Sequence, residues 1–99
     1  MTQFSDETKK KIAELCKKHR VRELSLFGSR VRDDYRVDSD FDFLVEFVPE
    51  TIVTFMTLGA VQSALEEIVG LHVDLVPKEG LKPVIKQYVL AEAKVVYAI

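Results

Sequence analysis

Two aspartates two residues apart, Asp40 and Asp42, follow a glycine-serine pair, Gly28-Ser29, across ten intervening residues. In an extended strand alternate residues point to the same side, with α-carbons about 6.6 Å apart, so both carboxylates reach one ion. Hard divalent cations such as magnesium take oxygen ligands and keep several waters, and they are commonly held by one or two carboxylates plus substrate phosphates. The glycine-serine pair supplies the other half of such a site. Gly28 permits close backbone approach, Ser29 offers a hydroxyl and an amide, and a short helix opening there aims N–H groups at a phosphate. Arg30 and Arg32 add charge-assisted bonds to phosphate oxygens. A Gly-Ser pair alone is an ordinary turn, and an Asp-x-Asp alone is an ordinary strand end or helix cap. In this order, between two apolar strands, they read together as a metal-assisted nucleotide site.

The elements that must position these residues are legible from periodicity. Ile12, Leu15, Cys16 and His19 follow helical spacing, with Asp6 and Glu7 near the start where the helix dipole favours acids, which predicts a helix over 5–19. A strand follows over about 23–27, then a short helix over 29–32, a polar loop to Ser39, and a second strand over 41–47 ended by Pro49. Phe55, Leu58, Leu65 and Ile68 predict a helix over 52–69 with Gly70 as its C-cap. A third strand over 71–76, a helix over 83–93 opened by Pro83, and a short strand over 95–97 complete the chain. Helices alternating with strands predict an α/β (α+β) fold, a small mixed β-sheet with helices packed on one face.

Ninety-nine residues, 47% of them hydrophobic, predict one domain spanning 1–99 with one modest core. A net charge of −2 argues against broad nucleic-acid binding, which brings a basic face. One cysteine excludes an internal disulfide and suits a reducing cytoplasm. No apolar run approaches the roughly 20 residues of a membrane span, and the first residues begin no signal peptide, so the expectation is a cytoplasmic protein without membrane contact. Lys9, Lys10, Lys11, Lys17, Lys18, Arg20 and Arg22 make the first helix basic, as a solvated face or a contact for an acidic partner. His19 lies on that helix's apolar stripe, packed or partly exposed, and Cys16 reads as a small core residue. His72, two before Asp74 on one strand face, reads either as a neighbour of the site or as a bystander. Tyr35 is placed either to stack on a base or to cover its own turn.

The segments Leu26-Phe27-Gly28-Ser29-Arg30 and Ser39-Asp40-Phe41-Asp42-Phe43-Leu44-Val45 resemble the minimal, single-domain nucleotidyltransferases of the DNA polymerase beta superfamily, and the likeness runs over nearly the whole chain. It implies a polymerase-beta-like fold and a third carboxylate on a later strand, which His72-Val73-Asp74-Leu75-Val76 supplies as Asp74. By the same resemblance, Asp40, Asp42 and Asp74 are the catalytic and metal-binding residues, for two magnesium ions, and Gly28, Ser29 and Arg30 bind the nucleotide, ATP. One departure is visible: the family often has a glycine soon after the Gly-Ser-Arg, and here Arg32 is followed by Asp33 and Asp34, whose charges oppose a triphosphate unless they point away. The resemblance implies transfer of AMP to a tyrosine of a HEPN-type helical partner in a toxin-antitoxin pair. The alternatives are an aminoglycoside-like small-molecule nucleotidyltransferase, or an antitoxin that acts by binding alone. An exposed sheet edge and apolar residues such as Val48, Ile52 and Phe55 leave room for self-association or partner docking.

Overall fold

The computed structural model describes residues 4–32, 36 and 39–99; Tyr35 and the Asp33-Asp34 pair lie outside the described residues. Helix α1 (Asp6–Lys18) starts where Ser5 accepts a hydrogen bond from the Thr8 amide at 3.1 Å. Acids in its first turn and lysines in its last both complement the helix dipole. Its stripe of Ile12, Leu15 and Cys16 is buried, whereas its lysines, with Arg20 and Arg22, are exposed, so the basic run is a solvated face. Burial pushes the Cys16 thiol up to about 12, which keeps it a protonated core residue.

Strand β1 (Val21–Phe27) begins two residues earlier than periodicity predicts. Arg20, at φ +60, swings the chain straight out of α1 and delivers Val21 into the core. Helix α2 (Ser29–Arg32) and strand β2 (Phe41–Phe47) fall where the sequence places them. Helix α3 (Phe55–Val69) starts later than the apolar spacing suggests, because Thr54 and Thr57 form a reciprocal capping box with both amide-to-hydroxyl bonds at 3.2 Å. That cap leaves Ile52 outside the helix and 84% exposed. Gly70 closes α3 in the left-handed region. Strand β3 (Val73–Pro77), a 3₁₀ turn (Lys78–Gly80), helix α4 (Pro83–Glu92) and strand β4 (Lys94–Ala98) follow.

The four strands form one mixed sheet in the order β3-β2-β1-β4. β1 runs antiparallel to β2 and β4, and β2 runs parallel to β3 with α3 as the crossover. Helices α1 and α3 cover one face, where Ile12, Leu15, Val61 and Leu65 meet Leu24, Phe43 and Val73. The pleat then decides the placement of the acids: Phe41, Phe43 and Val45 enter this core, so Asp42, Leu44 and Glu46 point to the other side. The outer edge of β3 is closed at Val73, whose N–H donates to Glu66 at 3.1 Å and whose carbonyl accepts from Gln62 at 2.8 Å. At Val73 these α3 side chains take the backbone groups another strand would use.

Candidate active site

The glycine-serine turn and the aspartates meet because β1 ends where β2 begins. Phe27 is the register partner of Asp42 across the antiparallel pair, and Gly28 follows immediately at φ +81. A Cβ on residue 28 would collide with the Asp42 carboxyl, whose Cγ lies 3.1 Å from that position. Glycine is therefore required twice, by the left-handed backbone and by the approach of the carboxylate.

On its other side Asp42 is in direct parallel register with Asp74. Burial raises the Asp42 carboxyl above its ordinary range, followed by the charge of Asp74, a hydrogen bond to Asp74 and the charge of Asp40, while Arg32 opposes the rise. Like charges on neighbouring strands explain this: without a cation, protonating one member is the cheapest relief. Asp40, just ahead of β2, lies with its Oδ2 3.3 Å from Nδ1 of His72, and the same nitrogen is 3.8 Å from Oδ1 of Asp74. Donor atoms of Asp40, His72 and Asp74 all fall within 4.8 Å of one another, at exposed positions. The structure thus brings together all three sequence-predicted carboxylates and adds His72 to them. Oxygen donors of this kind suit a divalent cation.

Arg30, expected to bind nucleotide, is engaged within the chain. It is buried, its guanidinium lies 4.1 Å from the centre of the Phe41 ring, and Nη2 donates to the Ser39 carbonyl at 2.7 Å. From there it ties α2 to the residue before Asp40. Ser29 is half-buried at the first position of α2, and the helix closes with Val31 and Arg32 amides donating to the Gly28 carbonyl at 3.0 and 3.3 Å.

Two residues at the site carry no local signal in the sequence. Glu92, at the end of α4, accepts from the Gly28 amide at 3.1 Å, and both its oxygens lie 3.2 Å from Nη1 of Arg32. Glu66 of α3 stands 4.0 Å from Nε2 of His72. The partners of Glu92 are 60 and 64 residues away, and those of Glu66 lie across the turn from α3 into β3, so no helix or strand spacing rule points to either. A cleft of about 260 Å³ lies at the opposite end of β2, between Phe47, Val53, Pro77 and Lys78, away from these carboxylates.

A strand-turn-helix carrying Gly-Ser and three carboxylates on adjacent strands of a small mixed sheet defines a class of protein. The chain belongs to the nucleotidyltransferase domain family, which it matches over residues 8–96. The protein adenylyltransferase MntA of Thermococcus cleftensis is 44% identical to it over 79 residues, 80% of this chain and 78% of that protein. A solved minimal nucleotidyltransferase is similar in structure, with TM-score 0.74 and 33% identity over 95% of this chain and 98% of that one. The fold is also shared with a chain in the complex of a tri-AMPylated HEPN toxin with its MNT antitoxin from Shewanella oneidensis, at TM-score 0.68 and 20% identity, covering 94% of this chain and 71% of that chain. The protein is a nucleotidyltransferase and a homologue of protein adenylyltransferases. Among the described residues, no helix is long and apolar enough to cross a membrane.

Proposed function

We propose that the protein, acting in the cytoplasm as one domain over residues 1–99, transfers AMP from ATP to a tyrosine hydroxyl of a HEPN-type helical partner and silences it as an antitoxin. The observation that carries this reading is the exposure of Asp40 and Asp74 beside the Gly28 turn, in a homologue of protein adenylyltransferases. A triphosphate laid against these residues is open on its solvent side, so the acceptor must be presented by another molecule. Exposed apolar residues at the start of α3, Phe55 at 92% and Met56 at 85%, with Ile52 just before it, lie at the end of β2 away from the carboxylates and offer a partner a separate contact.

In the reaction the acceptor oxygen forms a bond to the α-phosphorus as the bond from that phosphorus to the β-phosphate bridging oxygen breaks. Pyrophosphate leaves, and the hydroxyl proton passes to a carboxylate, the role assigned to Asp74 in this reading. Gly28, Ser29 and Arg32 hold the β- and γ-phosphates, and Arg30 fixes the turn that carries them. Asp40, Asp42 and Asp74 are the residues that would hold two divalent ions, whose chemistry is stabilisation of the attacking and leaving oxygens. Alignment of the acceptor by its own protein supplies much of the rate, which a free small alcohol lacks.

Co-expression with the neighbouring helical protein, followed by intact-mass measurement, tests the reading. The partner is expected to gain AMP with the wild type and to stay unmodified with Asp42→Asn. An unmodified partner that co-purifies points to occlusion instead. No association, with labelling of an aminoglycoside-like alcohol, points to a small-molecule enzyme.

A further inference from the structure

We propose that His72 is itself a ligand of the divalent ion, through Nδ1, and that it biases the site toward a first-row transition ion over magnesium. The inference deepens the proposed function and rests on its reading of the carboxylates as a metal site.

Ligands about 2.1 Å from one ion stand about 3 Å apart along an octahedral edge. Nδ1 of His72 is already 3.3 Å from Oδ2 of Asp40 and 3.8 Å from Oδ1 of Asp74. An imidazolium pairing with two carboxylates would give similar distances, so the front of the ring alone does not decide. The back of the ring bears on what could orient a ligand there. Nε2 faces Oε2 of Glu66 at 4.0 Å, and that oxygen is itself anchored, accepting the Val73 N–H at 3.1 Å. The 4.0 Å separation is beyond hydrogen-bond reach; a closure of about 1 Å would let Glu66 accept the Nε2–H and complete the arrangement that orients a metal-bound histidine and raises its basicity.

The backbone holds the residue in the same pose. The His72 carbonyl accepts the Phe41 N–H at 3.0 Å, which ties His72 to the residue after Asp40. His72 is thus tied to β2 through its carbonyl and faces Glu66 of α3 on the other side, with Nδ1 directed at the gap between two aspartates.

The consequence is chemical. Magnesium prefers an all-oxygen, largely hydrated shell. A nitrogen donor adds little for magnesium and more for first-row transition ions, with cobalt(II) above manganese(II) in the usual order of affinities. The same two aspartates without an imidazole lack that bias.

Calorimetric titration of the wild type, His72→Ala and Glu66→Gln with Co²⁺ and with Mg²⁺ tests this, and half-exposure of the His72 side chain favours folded variants. His72→Ala should lower Co²⁺ affinity about 10-fold or more and leave Mg²⁺ within about 2-fold. Glu66→Gln should weaken Co²⁺ toward the lower end of about 10- to 100-fold. A second measurement needs no variant: the chain has two histidines, and on addition of diamagnetic Zn²⁺ the ring ¹⁵N signal of Nδ1 in His72 should move while His19 stays unchanged. Equal loss of both ions in His72→Ala, or an unmoved Nδ1 with the ion bound, overturns the inference. Co²⁺ binding that depends on His72 in a protein that transfers no AMP upholds it and refutes only the proposed reaction. AMP transfer with ion binding indifferent to His72 refutes the inference alone.

Discussion

Strand β2 carries two acids on one face, and each stands in register with another acid: Asp42 beside Asp74 on β3, and Glu46 beside Glu23 on β1. The two pairs are treated in opposite ways. At the far end, Lys78 of the 3₁₀ turn reaches both glutamates, at 3.8 Å from Glu23 and 3.5 Å from Glu46. At the near end the acids crowd one another, and Asp42 is raised above its ordinary range. Arg32, which opposes that rise, has Nη1 on both oxygens of Glu92. The same local pattern is neutralised by a lysine at one end, and at the other, on the proposed function, its counter-charge is left to a ligand.

Substitutions separate the two ends. Asp42→Asn should lower AMP transfer by at least about 10²- to 10³-fold, the cost of removing one group that stabilises transition-state charge, and a radiolabelled transfer assay reads it. Glu92→Ala acts at the near end on the fold: the part-buried Gly28 amide loses its acceptor, at a cost of about 1–3 kcal/mol. For a chain of this size each ~1 kcal/mol lowers Tm by about 4–8 °C, so thermal melting detects it. Glu92→Gln keeps an acceptor for Gly28 and should lose less. Lys78→Met leaves Glu23 and Glu46 facing each other and should cost about 1 kcal/mol, with AMP transfer unchanged. Loss of transfer in Lys78→Met at full stability would break the division between the ends.

What the sequence discloses follows from the range of each interaction. α2 and β2 fall where predicted because Gly28, Pro49 and the alternation of Phe41, Phe43 and Val45 are local signals. The start of α3 is misjudged by apolar spacing, since the decisive bonds are between the hydroxyls and amides of Thr54 and Thr57. Asp40 and Asp42 are legible from strand alternation as well as from the family pattern, and Asp74 from the family pattern alone. Arg30 is legible as a residue of the site and not as a support beneath Phe41, because that contact depends on the return of β2. Glu66 and Glu92 are invisible in advance, as their roles exist only once α3 and α4 have packed. The Asp33-Asp34 departure and Tyr35 lie outside the described residues.

The contrast between the two acidic pairs is tested most directly by melting the wild type and Asp42→Asn side by side, with and without magnesium-ATP. A carboxyl raised by folding imposes no cost below the ordinary carboxylate range, where folded and unfolded chains are both protonated. The cost grows as pH climbs through the unfolded value toward the raised one and is complete above it. At neutral pH without ions, Asp42→Asn should therefore melt higher than the wild type, by no more than about 1 kcal/mol at this half-buried carboxyl, and the gap should vanish in acid. Magnesium-ATP at about 100 times its Kd should add about 2.7 kcal/mol to the wild type and far less to the variant, reversing the order. A variant that melts below the wild type in both conditions at neutral pH would show that Asp42 serves the fold, and would contradict the account.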